Sequence, residues 1–492
     1  MESEMRQLGL IRSARAAGRN CGFSRRQFLG GCAACAAGFS VLSALNATTA
    51  AALAAGEDIP APAGPKPKIR LVFTHISPNS PTWPHIGYDY ERRKKDWTSK
   101  LRKACPGVEF IVATAMNAND ANEILKGDSE VDGYIVYMLA LWTGAPQAIA
   151  ASGRPTIFVD DLYGGSGEFL VAYAAAKRNG WKVAGVSSNN FDDVVDAVRC
   201  FECIKKLQHS NILRIGGGFG CSPEGIEKVF GTKVIFKPHE ELDDLYKKAD
   251  RAKAREWAGR WIREAQEVIE PSREEIEKSG AMYLAMCEMM RKYKAQAITV
   301  NCLGGFYGGK ITAYPCLGFF QLNNDGWVGA CESDLKSTIS MLLMAYLTGR
   351  PGFISDPVID TSKNQIIYAH CVAPNKVWGP EGRSNPYHIR NHSEDRKGAA
   401  VRSLMPLGDM TTTLEFDPDK KQVIFHQGKS VANIDEDRAC RTKLAAEVEG
   451  DIDKLMNYWD TWGWHRVTFY GDLKRPVQNI AAMLGFEIIE EA

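Results

Sequence analysis

Residues 326–371, GWVGACESDLKSTISMLLMAYLTGRPGFISDPVIDTSKNQIIYAHC, decide how the chain is read. The apolar run Trp327–Cys331 predicts a short strand that delivers Glu332 at its carboxyl end. The stretch that follows, LKSTISMLLMAYLTG, predicts an apolar helix closed by Gly349, which accepts a left-handed cap, and by Pro351, which cannot continue a helix. GFIS predicts a second strand delivering Asp356, and QIIYAHC a third delivering His370. A side chain at a strand end leaves the core and can meet ligands from neighbouring strands. One acid in such a place is ordinarily a solvated turn residue. Two acids and an imidazole, all at strand ends within 39 residues, are the parts of a metal site.

Toward the amino terminus the chain alternates strand and helix from Ile69. KIRLVFTHI and VEFIVATAM predict buried strands flanking the exposed amphipathic helix YERRKKDWTSKLRKA, and DGYIVYMLA and RPTIFVDDL continue the series. A second set begins near Lys182 with WKVAGVSS, a helix around 192–209, NILRIGGGFG and TKVIFKPHE. It continues through a charged helical tract from Glu241 to Lys294, broken at Pro271, and ends with AQAITVNC and the strand before Glu332. Such alternation implies parallel sheets with right-handed crossovers. Beyond Asp356 the pattern becomes β: IIYAHCVAP, AVRSLMPLG, TTTLEFDP and KQVIFHQG are short runs separated by Gly, Pro and Asp turns, which predicts a small antiparallel barrel or sandwich. LAAEVEGDIDKLMNYW predicts a helix before the strand that holds His465, and PVQNIAAMLG a terminal helix. The expected fold class is α/β, with two flavodoxin-like parallel domains, 69–181 and 182–350, followed by a smaller, mainly antiparallel β-rich domain, 351–492.

At the amino terminus, Ser24-Arg25-Arg26-Gln27-Phe28-Leu29 precedes a weakly apolar run ending in Ala52-Leu53-Ala54, the pattern of a twin-arginine signal with a small-residue cleavage site. Its many Ala, Gly, Ser and Thr residues argue against a membrane anchor. Residues 1–54 are therefore expected to be removed on export to the periplasm or beyond, leaving no stable membrane insertion. Residues 55–68, AGEDIPAPAGPKPK, predict a linker without regular structure. The net charge is +1 with both signs interspersed, and no basic stripe offers a nucleic-acid surface. Of 13 cysteines, three fall in the signal. The even remainder permits disulfides without fixing any pairing. Cys200 and Cys203, spaced C-x-x-C in a helical stretch, read as packing residues rather than half of a zinc site.

Two glycine-rich loops follow strands. Gly216-Gly217-Gly218-Phe219-Gly220 departs from a dinucleotide-binding pattern because Cys221 stands where its last glycine belongs, so its glycines are read as allowing close backbone approach. Asn301-Cys302-Leu303-Gly304-Gly305 is comparable. His388 and His392 are four apart, yet they lie among strands, which makes a helical ligand pair doubtful. Either Arg390 or His392 can instead point into a pocket and bind a hydroxyl or carboxylate of a ligand.

The run CESDLKSTISMLLMAYLTGRPGFISD resembles the segment of L-fucose isomerase in which a Glu and, one helix later, an Asp bind a catalytic manganese and act as acid and base. IIYAHCVAP is similar to the L-arabinose isomerase segment that supplies a metal-binding His. TWGWHRVTFYGD resembles the Trp-Gly and His stretch from which both families take their last ligand, here His465. The resemblance is specific in these three stretches and spans residues 66–492 at the level of topology. It implies Glu332, Asp356 and His465 as ligands of a divalent metal, most simply Mn²⁺, with His370 added by the arabinose pattern, and Glu332 and Asp356 as proton carriers. It also implies the 216–220 loop as a pocket wall, Asn301, Tyr307 and Trp462 as candidate substrate contacts, and a homo-oligomer with the site near a subunit contact. The expected function is a metal-dependent aldose–ketose isomerase acting on a monosaccharide or small polyol through an ene-diol. An epimerase or lyase on the same scaffold, and an exported sugar-binding protein without catalysis, are the alternatives.

Overall fold

The first parallel sheet is built from β1 (Lys68–Thr74), β2 (Glu109–Ala115), β3 (Gly133–Met138), β4 (Thr156–Asp160) and β5 (Val183–Val186), in the order β2-β1-β3-β4-β5. This is the flavodoxin-like order expected from the strand–helix alternation. The coordinates are a computed structural model describing residues 59–492; the twin-arginine segment and the first residues of the expected linker lie outside the described residues. In β3, GYIVYM, every position is buried, as a central parallel strand covered by helices on both faces requires. The strand WKVAGVSS, assigned from the sequence to the second α/β set, is instead β5, paired with β4 at the edge of the first sheet. Strand–helix alternation is the same on both sides of this point, so the pattern carries no mark of the change of sheet. The expected linker also differs in part. Ile59 is buried, and the Pro60 carbonyl accepts a hydrogen bond from Gln296 Nε2 at 2.9 Å, so this stretch is tied to the second α/β set.

That set contains β6 (Asn211–Ile215), β7 (Lys233–Lys237), β9 (Ala297–Val300) and β10 (Val328–Ala330), parallel and ordered β10-β9-β6-β7. The short β8 (Glu267–Val268) leaves it to pair with β13 (Tyr387–Arg390), which also pairs with β14 (Ala400–Ser403). After β10 runs the helix Leu335–Thr348. Asp334 caps it by accepting from the backbone N–H groups of Lys336 and Ser337, and Gly349 closes it at φ 70°. The helix Phe191–Gln208 lies against it, with the Cys203 thiol donating to the Leu343 carbonyl at 3.4 Å. Cys200 and Cys203 are fully buried there, as packing residues are.

The carboxyl-terminal part is a barrel of β11 (Phe353–Asp360), β12 (Gln365–His370), β15 (Met410–Asp417), β16 (Gln422–Asn433), β17 (Thr442–Glu449) and β18 (Arg466–Tyr470). The order β15-β18-β11-β12-β17-β16 is closed by direct β15–β16 pairing, which leaves these six strands without a free edge. All these pairings are antiparallel, and β19 (Glu487–Glu490) adds alongside β16 in parallel. One expected helix is corrected here. LAAEVE belongs to β17, between β12 and β16, and only Ile452–Tyr458 is helical. Its Ala, Leu and Glu residues favour a helix locally, but two flanking strands supply hydrogen bonds and burial that outweigh a preference of a few tenths of a kcal/mol per residue, on the order of what propensity scales give.

Candidate functional site

Glu332 follows β10, and its position depends on an unusual turn. Glu332 and Ser333 take φ of 62° and 56°, the left-handed region that residues with a Cβ seldom occupy. Such strain persists where the surroundings over-determine it. The Leu335 N–H donates to the Phe219 carbonyl at 3.2 Å, and Arg214 Nε donates to Ser333 Oγ at 3.1 Å. Gly218 passes so close that a Cβ there would stand 2.3 Å from the Ser333 carbonyl oxygen. The 216–220 loop therefore buttresses the turn that aims Glu332. Close backbone approach is the use its glycines serve, and none of its residues lines the cavity above the site.

The barrel brings the other groups to Glu332. Ser355 faces Arg466 across the β11–β18 ladder, which makes Asp356 and His465 the next positions along it. His370 ends β12, the neighbour of β11 on its other side. The His465 Nε2 atom lies 3.6 Å from Glu332 Oε2 and 3.3 Å from Asp356 Oδ1, and His370 Nε2 lies 3.7 Å from Glu332 Oε1. The ring of His465 is oriented from behind by Asp334, whose Oδ2 is 3.0 Å from Nδ1. Nε2 of His465 and both ring nitrogens of His370 are buried and make no hydrogen bond. A buried polar atom left in that state costs on the order of 1–3 kcal/mol.

These atoms fit a divalent cation. One ligand atom from each of Glu332, His370 and His465 lies within 4.8 Å of the others, a mixed carboxylate and imidazole set suited to Mn²⁺, Zn²⁺ or Fe²⁺. Asp356 stands beside this group rather than within it. Its Oδ1 accepts from Trp464 Nε1 at 2.7 Å, and the Cys440 thiol lies 3.7 Å from its Oδ2. Burial opposes ionisation of Asp356, but the imidazoles of His465 and His370 and the Trp464 indole outweigh it and bring its pKa down to about 2. Glu332 is likewise held below its ordinary value: burial raises it, and His370 and His465 lower it further. Burial lowers the pKa of His465, yet Asp334 and Asp356 lift it well above the usual histidine value, a measure of how much negative charge surrounds it.

A cavity of about 460 Å³ opens over the group, lined by Glu332, Asp356, His370, His392 and Trp464 among others. His392 reaches it with its Nδ1 3.2 Å from Asp395 Oδ1. The remaining sequence candidates lie elsewhere. Asn301 caps the helix Cys302–Tyr307, accepting from the Gly304 N–H at 3.0 Å. Tyr307 donates to Glu394 at 2.6 Å and is itself outside the lining. Arg390 is held by Glu270, with Nε to Oε1 at 2.7 Å. Trp462 gives its indole N–H to Gln422 at 3.2 Å, while its carbonyl accepts from Lys336 Nζ. The indole at Asp356 is that of Trp464, two residues on, which the sequence does not single out as a site residue. Its only signal was proximity to His465.

Behind Asp334 lies Glu415, 1% exposed, with its Oε1 2.6 Å from Ser337 Oγ. Burial, with the Asp334 charge adding to it, pushes this carboxyl up to about 8. The folded protein thus holds its proton more tightly than the unfolded chain. The resulting stability is fully present below the unfolded value of about 4.3 and is lost as pH rises through about 8. Glu415→Gln cannot ionise, so its melting temperature should fall less than that of the unaltered protein between pH 5 and pH 8.5 (roughly the window set by this linkage). A few kcal/mol separate the two curves at the alkaline end, on the order of 1.4 kcal/mol per pKa unit. Parallel melting curves would refute the assignment.

No family model matches the chain. Sulfoquinovose isomerase of Priestia aryabhattai is 23% identical over 307 residues, 59% of this chain and 67% of that protein. The proteins of the same name from Alkalicoccus urumqiensis and Clostridium sp. (strain MSTE9) are 25% identical over 305 residues and 26% identical over 226 residues. They cover 59% and 42% of this chain, and 67% and 46% of their own lengths. Among solved structures, an ABC transporter periplasmic solute binding protein from Actinobacillus succinogenes 130z with bound D-allose aligns with a TM-score of 0.18 at 14% identity. It covers 50% of this chain and 83% of that one, and a score so low carries no argument. Over more than half its length, then, this chain is similar to enzymes named for isomerising a sugar.

Proposed function

We propose that this protein is a divalent-metal sugar isomerase that interconverts aldose and ketose forms. The observation that carries the reading is the convergence of Glu332, His370 and His465, from three separate strand ends, beside the ionised Asp356, with Glu332, His370 and Asp356 lining one cavity. The likeness to sulfoquinovose isomerases supports the reaction class.

Aldose–ketose interconversion moves a proton between adjacent carbons through an ene-diol, and needs one group to take the proton and another to return it. Glu332 and Asp356 flank the same imidazole and are ionised at neutral pH, so each can accept a proton from a sugar in the cavity. Trp464 fixes the Asp356 carboxylate through Oδ1, and Asp334 fixes His465 through Nδ1. Glu332, His370 and His465 would hold the metal. A divalent cation held there, Mn²⁺ by the isomerase resemblance, would polarise neighbouring substrate oxygens and stabilise the charge of the ene-diol.

A reducing-sugar assay over a panel of aldoses and ketoses, sulfoquinovose included, with metal-loaded protein tests this. Interconversion of any aldose–ketose pair in the panel supports the reading. Saturable sugar binding by calorimetry without turnover of any member would make the protein a binding protein instead.

Export by the twin-arginine route and assembly into a homo-oligomer belong to the same proposal. Mass spectrometry of the exported protein should find a chain beginning near residue 55, because the twin-arginine pattern and the Ala52-Leu53-Ala54 site direct cleavage there. A mature chain beginning at Met1 would contradict the export assignment.

A further inference from the structure

Five of the ten described cysteines line the cavity above Glu332, and the proposed reaction uses none of them. In one pair, Cys302 and Cys331, the sulfurs lie 3.3 Å apart. Their approach is set by the sheet. Cys331 follows β10, Cys302 follows β9, and β9 and β10 are hydrogen-bonded neighbours. The last paired residues are Ala330 and Thr299, so Cys331 stands one residue past the ladder and Cys302 three, in the first turn of the helix Cys302–Tyr307, and the 3.3 Å contact closes between the two strand ends. The thiols do not form a cage for a soft metal. Among the described residues, the group in which three ligand atoms converge is Glu332, His370 and His465, which includes no cysteine. Chemistry between pairs is what the arrangement allows. Cys371 and Cys440 also face the cavity, but their sulfurs are engaged by the Ser393 hydroxyl, at 3.6 Å and 3.8 Å, and Cys440 also by Asp356 at 3.7 Å.

We propose that Cys302 and Cys331 are a reversible covalent site for low-molecular-weight aliphatic disulfides, which enter the cavity and leave the two cysteines joined. One cysteine loses its proton and attacks a sulfur of the small disulfide, breaking that S–S bond and releasing one small thiol, which takes up the proton. The second cysteine then loses its proton and attacks the protein-bound sulfur of the resulting mixed disulfide. This forms the Cys302–Cys331 bond and releases the second small thiol, again carrying the proton. Two electrons pass from the protein thiols to the small disulfide, and the balance needs no other oxidant. Bond formation draws the sulfurs from 3.3 Å to about 2.05 Å. Cys331 immediately precedes Glu332 and its left-handed turn, so the displacement falls on the carboxylate of the proposed metal group. Joining the cysteines therefore weakens metal retention, and reduction restores it.

The test uses the reduced, full-length protein and bis(2-hydroxyethyl) disulfide under anaerobic conditions, with differential alkylation and peptide mapping. The expected result is a Cys302–Cys331 cross-link, about two equivalents of 2-mercaptoethanol released per cross-link, and reversal by dithiothreitol. Cys200 and Cys203, fully buried on their helix and away from the cavity, should stay alkylatable after unfolding. Cys302→Ser and Cys331→Ser should each abolish the cross-link. The proposal is overturned if the unaltered protein keeps Cys302 and Cys331 free, stops at a mixed disulfide, or links Cys371 to Cys440 instead. The readout is a bond rather than turnover, so it stands or falls independently of the reaction assigned to the site.

Discussion

Glu332→Gln and Asp356→Asn should each lower sugar isomerisation by at least about 10²-fold, the amount typical of a general acid or base. Both changes preserve size. In Asp356→Asn the Oδ1 that accepts from Trp464 is retained, so the indole keeps its partner and the barrel keeps its packing. The amide has lost the ability to carry a proton, and with it the charge that sits 3.3 Å from His465. Glu332→Gln removes more, because the same carboxylate faces His370 at 3.7 Å and His465 at 3.6 Å. It should therefore lose bound metal as well as turnover, whereas Asp356→Asn should lose turnover with metal largely kept. Comparing kcat and metal content for the two variants checks this. Near-normal kcat in either would reject the proton-carrying role of that residue.

His465→Ala should lower bound metal per chain by more than about tenfold while the protein stays folded. Loss of even an outer-shell partner costs about 10–100-fold in metal affinity, and a direct ligand costs no less. The fold tolerates the change because His465 precedes β18 and takes no part in its ladder pairs. Asp334, deprived of the imidazole at 3.0 Å, still accepts from Ser337 Oγ and from the helix N–H groups it caps. Asp334→Asn should give a smaller loss of the same kind, because it loosens the ring without removing the ligand. Equal metal content in the unaltered protein and His465→Ala, measured by elemental analysis after dialysis, would remove His465 from the ligand set.

The residues of the site and its assembly were not equally legible. Glu332, Asp356 and His370 announce themselves locally, since each ends an apolar strand-like run within one stretch of 39 residues. What the local pattern does not contain is the ladder that brings them together. Asp356 meets His465 because β11 and β18 are neighbours in a closed barrel, a pairing across more than 100 residues whose register no local signal specifies. The same limit explains Arg390. An arginine near two histidines resembles a substrate-binding group until Glu270, 120 residues earlier, is found holding it. Asn301 sits in a glycine-rich loop that resembles a binding loop, but its side chain is spent on a helix cap, a role asparagine fills by its chemistry alone. Trp462 and Trp464 are indistinguishable in the sequence, and the 3₁₀ turn ending at Trp462 together with Gly463 at φ 104° decides which indole reaches Asp356.

The central claim is that a metal held by Glu332, His370 and His465 is required for sugar isomerisation. Its most direct test is the rate of aldose–ketose interconversion by one protein sample measured as isolated, after chelation, and after titration with Mn²⁺, with metal content determined at each stage. About one divalent cation per chain is expected in the active protein, the number one such ligand group holds, with activity lost on chelation and restored in step with metal returned. Interconversion that continues undiminished in metal-free protein would contradict it.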